Sequence, residues 1–235
     1  MTAVVGTEPT LVVSEVFGAT FQGEGPSCGR AAGFVRLGRC NLACSFCDSR
    51  HTWDWDRYDP AVELHATTVA EVLAQLDAMP VSMVVVTGGE PLLQQRHLPP
   101  LLEPLKARGW RVEVETAGTV APTLPEGLVD QWNVSPKLAN SGMPVERRLK
   151  PAVLAELRST GRAVFKFVAG NVADLEEIDA MVSRVDLEPV WVMPEGTDAP
   201  TVIARLQELA PSVLARGWNL TPRLHILIWG DERGR

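Results

Sequence analysis

The sequence predicts an α/β fold in a single domain over residues 1–235, with a mostly parallel sheet curled into a partial, open barrel. Three observations carry this. Short apolar runs rich in β-branched residues alternate with stretches of helical period along most of the chain. The segments rich in Gly, Cys, Ser and Pro fall just after the strand ends, which is the ligand face of open sheets and barrels. The βα units number about six, short of the eight that close a barrel.

Residues 1–10 carry little pattern and are expected to be loosely ordered. Residues 11–16 read as a short strand, and 17–30, rich in Gly, as a loop. Residues 32–37 are a strand with a cysteine-bearing loop after its C-terminal end. Thr68 and Glu71 form a capping box, and Val69, Val72, Leu73 and Leu76 share one face of the helix that follows, which Pro80 ends. Residues 83–87 are a buried strand, followed at once by Gly88 and Gly89. Residues 92–108 are helical, broken once by Pro99, Pro100 or Pro104 and stopped at Gly109. Strands are expected over 110–115 and 131–134, a helix over 149–159 stopped at Gly161, and a strand over 162–168. Asn171 is the expected cap of a helix reaching about residue 185. A strand over 189–193, a helix over 201–216 and a last strand over 224–229 complete the alternation.

Composition narrows the function. Hydrophobic content of 46% and charged content of 22% are those of an ordinary globular protein. A net charge of −7 lacks the basic footprint of a nucleic-acid binder, so a small-molecule substrate is expected. No stretch has the length of an apolar membrane span. The N-terminus lacks the basic and apolar regions of a secretory signal. The four cysteines are irregularly spaced and three are clustered, which is no disulfide framework; a reducing cytoplasm is the expected compartment.

The chemistry centres on Cys40, Cys44 and Cys47, in the spacing C-x3-C-x2-C. Three thiols within eight residues form a ligand set, and thiolates suit iron–sulfur clusters and zinc. A four-iron cluster takes one Cys per iron, so three leave one iron open to a small molecule. The alternative is a structural zinc site of Cys3His type using His51. Cys28 stands outside the triplet and reads as a bystander. Residues 51–55 are expected to cover the thiols or pack nearby.

The spacing resembles that of the radical S-adenosylmethionine (SAM) superfamily. The flanks resemble, within it, the family of 7-carboxy-7-deazaguanine synthases. The resemblance rests on Phe17-Gly-Ala-Thr-Phe-Gln-Gly-Glu-Gly25, Phe34-Val-Arg-Leu-Gly-Arg-Cys40, Cys47-Asp48-Ser49, Thr87-Gly-Gly-Glu-Pro91, Glu115-Thr116, Ser135-Pro136-Lys137, Ser141-Gly-Met143 and the stretch from Leu224 to Gly234. It implies the superfamily's open (βα)6-type barrel, a 4Fe–4S cluster on Cys40, Cys44 and Cys47, and SAM on the fourth iron. By the same resemblance, reduction by a flavodoxin or ferredoxin cleaves SAM to the 5′-deoxyadenosyl radical. That radical starts the conversion of 6-carboxy-5,6,7,8-tetrahydropterin to 7-carboxy-7-deazaguanine with loss of ammonia, and SAM is re-formed. A homodimer is the implied assembly.

Residue roles follow from the same match. Phe21, Gln22, Gly23, Arg36 and Thr87 are the implied substrate contacts. Phe46, Cys47, Asp48, Gly89, Glu115, Ser135, Pro136 and Lys137 are the implied SAM contacts. Ser49 is the implied ligand of a Mg²⁺ ion. The residue types agree with these roles. The Gln22 amide both donates and accepts, which suits the edge of a pterin. The Arg36 fork suits a carboxylate, although an ion pair within the protein is its commoner use. A serine hydroxyl suits a hard cation. Lys166, in mid-strand, fits an ion pair or a site role equally. No acid–base triad is visible. Two other readings remain at this point: another radical SAM enzyme acting on a protein, such as a glycyl-radical activase, and a non-catalytic zinc module.

Overall fold

The computed structural model describes residues 8–235, so the expectation for residues 1–10 falls mostly outside the described residues. The chain opens with β1 (Thr10–Phe21) and β2 (Ala31–Leu37), an antiparallel pair. After the one-turn α1 (Pro60–Glu63), β3 (His65–Thr68) returns to pair antiparallel with β1. Then follow α2 (Val69–Asp77), β4 (Met83–Gly88), α3 (Pro99–Ala107), β5 (Arg111–Thr116) and β6 (Gln131–Val134). The second half runs through α4 (Val145–Arg148), α5 (Pro151–Ser159), β7 (Ala163–Ala169), α6 (Asp174–Val185), β8 (Val190–Pro194), α7 (Ala199–Ala215), β9 (Asn219–Leu220) and α8 (Leu224–Trp229).

One sheet of nine strands results, in the order β3-β1-β2-β4-β5-β6-β7-β8-β9. From β2 to β9 every pairing is parallel. The two ends, β3 and β9, do not pair, so the barrel is partial and open, as expected. Among the described residues no helix is long and apolar enough to cross a membrane.

The two faces of the sheet differ in kind. Val84, Val86, Val112, Val114, Trp132, Val134, Phe165 and Phe167 belong to the main core under the helices. The alternate positions look inward. Met83 and Val85 join Ala32 and Phe34 in a small second cluster at the barrel's β1–β2 side. Further round the barrel the inward residues are polar: Glu113, Glu115, Gln131, Asn133 and Lys166. Glu113 is closed off inside, bonded by Ser27 at 2.5 Å, Arg111 at 2.8 Å and Asn133 at 2.9 Å. A period of two with one apolar and one polar phase thus builds a core outside and a site inside.

Four local expectations are corrected. The expected loop at 17–30 starts later, because β1 runs on to Phe21 with Phe17 opposite Phe34 and Phe21 opposite Ala31. A facing strand completes the ladder that the glycines alone would not favour. Asn171 caps a turn, its Oδ1 accepting from Ala173 N at 2.8 Å, and the helix begins only at Asp174. The helix expected from 149 begins at Pro151, whose fixed φ favours the first helical position. Residues 224–229 form α8, not a strand. A six-residue apolar run does not distinguish the two states. Here Leu224 N donates to Gly23 O at 2.8 Å, tying α8 to the loop after β1, while the short β9 takes the sheet edge.

Candidate active site

A cavity of about 440 Å³ opens at the C-terminal ends of the parallel strands. Fifteen of the sixteen residues that the sequence singles out line it, and Pro136 alone does not. The three thiols sit at one end of it. Leu42 N donates to Cys40 Sγ at 3.4 Å, and Trp53 Nε1 donates to Cys47 Sγ at 3.3 Å, so Trp53 is the covering residue expected within 51–55. Burial pushes the Cys40 thiol up to about 12, and Glu90 and the other two cysteines add to it. Cys44 is also raised by burial, with Lys137 pulling the other way. Cys28 lies away from them, its Sγ 3.4 Å from Gly23 O.

These residues fit an iron–sulfur cluster. Buried or half-buried thiols facing a cavity, two of them met by N–H donors, are suited to become thiolates on a metal. A zinc would need its ligands within about 2.0–2.3 Å of one centre, whereas a four-iron cube takes each thiolate on a separate iron. His51 is turned to Glu15, 3.7 Å away, and edge-on to Tyr58.

The thiol loop is held from both sides. Gly88 ends β4 and Gly89 follows it, where the loop leaves β2. Gly89 N donates to Leu37 O at 3.1 Å and Glu90 N to Arg39 O at 2.9 Å. A Cβ on Gly89 would stand 2.1 Å from Arg39 O, so only glycine permits this approach. Glu90 itself is wholly buried, accepting from Leu92 N, Thr116 Oγ1 and Ala117 N at 2.8–3.1 Å. From the other side, Ser45 N donates to Ser141 O at 2.9 Å, Ala43 N meets Met143 Sδ at 3.4 Å, and Arg147 reaches Asn41 O at 2.6 Å. Lys137 Nζ donates to Ser135 Oγ at 2.9 Å beside the thiols. Ser49 Oγ lies 3.7 Å from Cys47 Sγ and is buried.

The middle of the cavity is polar. Glu115 Oε1 accepts from Gln22 Nε2 at 3.1 Å, and Oε2 accepts from Thr87 Oγ1 at 2.9 Å. Glu115, expected at SAM, is thus joined to two expected substrate contacts. Of the two alternatives for Lys166, the structure shows the ion pair, with Glu24, and places the ammonium on the cavity wall 3.8 Å from Glu115. Arg36 also makes an ion pair, its Nε 2.6 Å from Glu15. Phe21 stacks on Trp229 at 6.2 Å.

Arg223 is a residue the sequence reading missed. It is buried and ion-paired with Asp48, 3.4 Å from Glu24, and bonded to Gly196 O at 2.6 Å. Burial would raise the Asp48 and Glu24 carboxyls. Arg223 on Asp48, and Lys166 with Arg223 on Glu24, outweigh it and hold both well below the usual range. His225 packs so close to Gly23 that a Cβ there would stand 2.0 Å from Nδ1. Burial lowers its pKa. The inward polar phase of β5, β6 and β7 was the one signal in the sequence that could have found Glu113, Asn133 and Lys166 together.

Comparison with known proteins agrees with this geometry. A profile of the Radical SAM superfamily matches residues 35–152. A 7-carboxy-7-deazaguanine synthase of Pyrobaculum aerophilum is 39% identical over 233 residues, spanning 97% of this chain and 98% of its own. The Halobacterium salinarum protein of the same name is 36% identical, spanning 96% and 93%. Among solved structures, QueE from Escherichia coli is similar with a TM-score of 0.70 at 26% identity, over 92% of this chain and 95% of that one.

Proposed function

The chain belongs to the 7-carboxy-7-deazaguanine synthase family of the radical SAM superfamily, and on that premise we propose how its own residues serve the reaction. The reaction is the conversion of 6-carboxy-5,6,7,8-tetrahydropterin to 7-carboxy-7-deazaguanine with loss of ammonia, a step of 7-deazapurine biosynthesis. The observation that carries the reading is one cavity with the three thiols at one end and a set of pterin-suited groups beside them.

Cys40, Cys44 and Cys47 would hold the 4Fe–4S cluster and leave one iron for SAM. When bound, cluster and SAM supply one-electron chemistry that removes a hydrogen atom from the substrate. Gly89, Phe46, Asp48 and the segment from Ser135 to Lys137 are the proposed SAM contacts. Gly89 brings backbone to the cavity wall, and Lys137 places an ammonium beside the thiols, suited to a carboxylate. Phe21, Gln22, Gly23 and Thr87 are the proposed substrate contacts, with Arg36 on its carboxylate. Glu115 bonds to Gln22 and Thr87, which supports moving it from the SAM set to the substrate set. Ser49 is the proposed ligand of Mg²⁺, the other positions going to substrate oxygens and water.

The proposed reductant is a flavodoxin or ferredoxin, and the proposed assembly a homodimer; both rest on the family resemblance. The proposed compartment is the cytoplasm, supported by four free cysteines. The test is anaerobic reconstitution with iron and sulfide, followed by SAM, a reductant and the tetrahydropterin, with products read by mass. Formation of 7-carboxy-7-deazaguanine is the expected result. Loaded, reducible protein that cleaves SAM yet leaves the pterin unchanged would overturn the assignment.

A further inference from the structure

Glu15 stands at the corner of the cavity, where two guanidinium groups bond to its carboxylate and an imidazole stands beside it. Its Oε1 accepts from Arg36 Nε at 2.6 Å, and its Oε2 lies 3.2 Å from Arg233 Nε. His51 Nε2 is 3.7 Å from Oε1, buried, and without a hydrogen-bond partner among the described residues. Arg233 is held in turn by Glu63 at 2.8 Å. The Arg36 guanidinium lies 5.3 Å from the centre of the Phe17 ring, and Phe17 stacks on Phe34 at 4.9 Å. One face of the guanidinium is therefore covered by a ring that is itself braced, and one edge is gripped at Nε. Among the described residues no hydrogen bond reaches its two terminal nitrogens, and Arg36 lines the cavity.

A guanidinium gripped at Nε keeps its terminal pair free, and that pair is a fork matched to a carboxylate. We propose that Glu15 is the positioning residue for Arg36, holding Nε so that the free fork meets the carboxylate of the pterin substrate. The inference rests on the reading of Arg36 as the carboxylate partner. Two consequences of the geometry favour it. An unheld arginine gives up rotamer freedom on binding, whereas a held one has given it up on folding. A lone Glu15 would repel the incoming carboxylate, but Arg233 engages its second oxygen and His51 stands beside the first, so the corner does not become an anionic wall.

The ratio of two dissociation constants isolates this contact. Binding of 6-carboxypterin and of pterin, which lacks the carboxylate, is measured by anaerobic calorimetry on reconstituted protein with SAM. Glu15→Ala removes the grip. Glu15→Asp keeps the charge but is one methylene short of Nε. Both are expected to cut the preference for 6-carboxypterin about tenfold, the scale of one charge-assisted hydrogen bond, with pterin binding unmoved. Glu15→Gln still offers an oxygen to Nε and is expected to keep most of the preference. Equal weakening of both ligands shows a role in folding only and overturns the proposal, as does an unchanged preference in Glu15→Asp. Arg36→Ala separates the two readings. If it leaves the preference intact, the carboxylate does not meet Arg36 and that assignment falls. If Arg36→Ala abolishes the preference while both Glu15→Ala and Glu15→Asp retain it, only the role of Glu15 falls.

Discussion

Trp53 donates its indole N–H to Cys47 Sγ, and a hydrogen bond to a cluster sulfur stabilises the more negative, reduced state. Trp53→Phe is therefore expected to lower the reduction potential of the reconstituted cluster without lowering its iron content. A redox titration followed by electron paramagnetic resonance reads this, and an unmoved midpoint would show that the N–H does not reach the sulfur in the loaded protein. Ser49 tests a different atom. Ser49→Ala should leave iron content intact but weaken the stimulation of turnover by Mg²⁺, while Ser49→Thr, which keeps the hydroxyl, should behave as the parent. The same Mg²⁺ midpoint and fold increase in Ser49→Ala would strike out this ligand. Local spacing made the set of Cys40, Cys44 and Cys47 legible in the sequence, whereas Ser49 was named by the family resemblance alone. Arg223 was not legible, because its partners Asp48 and Glu24 lie 175 and 199 positions away and no periodicity connects them.

The parallel pair β2–β4 decides where the thiol loop sits. Its register carries Arg36 beside Thr87 and Leu37 beside Gly88, so the loop leaving β2 lies directly on the glycines at the end of β4. Gly89→Ala would push a methyl into Arg39 O, and backbone cannot rotate away as a side chain can. The expected outcome is a folded protein with at most about a third of the parent's iron after reconstitution, since overpacking at such a site costs roughly 1–3 kcal/mol. Full loading would show that the loop yields freely. Most elements were legible because their signals are local. Thr68 and Glu71 make the reciprocal bonds of a capping box at 2.8 and 3.2 Å, as read. Residues 224–229 were not, because the contact that ties their first residue down, Leu224 N on Gly23 O, joins positions 201 apart in the sequence.

At the scale of the molecule, buried and half-buried carboxylates tie the barrel's lining together, and their state depends on pH. Burial would raise the Glu15 carboxyl, but His51, Arg36 and Arg233 outweigh it and bring it from 4.5 down to about 2. A depressed carboxyl adds stability that is complete above 4.5 and is lost as pH falls toward 2. The shift corresponds to at most about 3 kcal/mol. Glu90, raised by burial, acts in the opposite sense over its own range. Glu15→Gln should therefore flatten the fall in denaturant midpoint between pH 5 and pH 3 relative to the parent, and parallel curves would show that Glu15 is not ionised on this account. The long reach of these contacts has a further consequence, for biosynthesis. The clamps on the thiol loop, Met143 and Arg147, lie 100 and 106 positions after the residues they hold, and Arg233 lies 218 after Glu15. At ~5–20 residues per second, the ribosome leaves the three thiols uncovered for roughly 5–20 s before their clamps are made. Iron that arrives during translation meets an unbraced tether, so lasting cluster insertion belongs to the finished chain, and a nascent chain stalled at residue 130 should retain no stable iron.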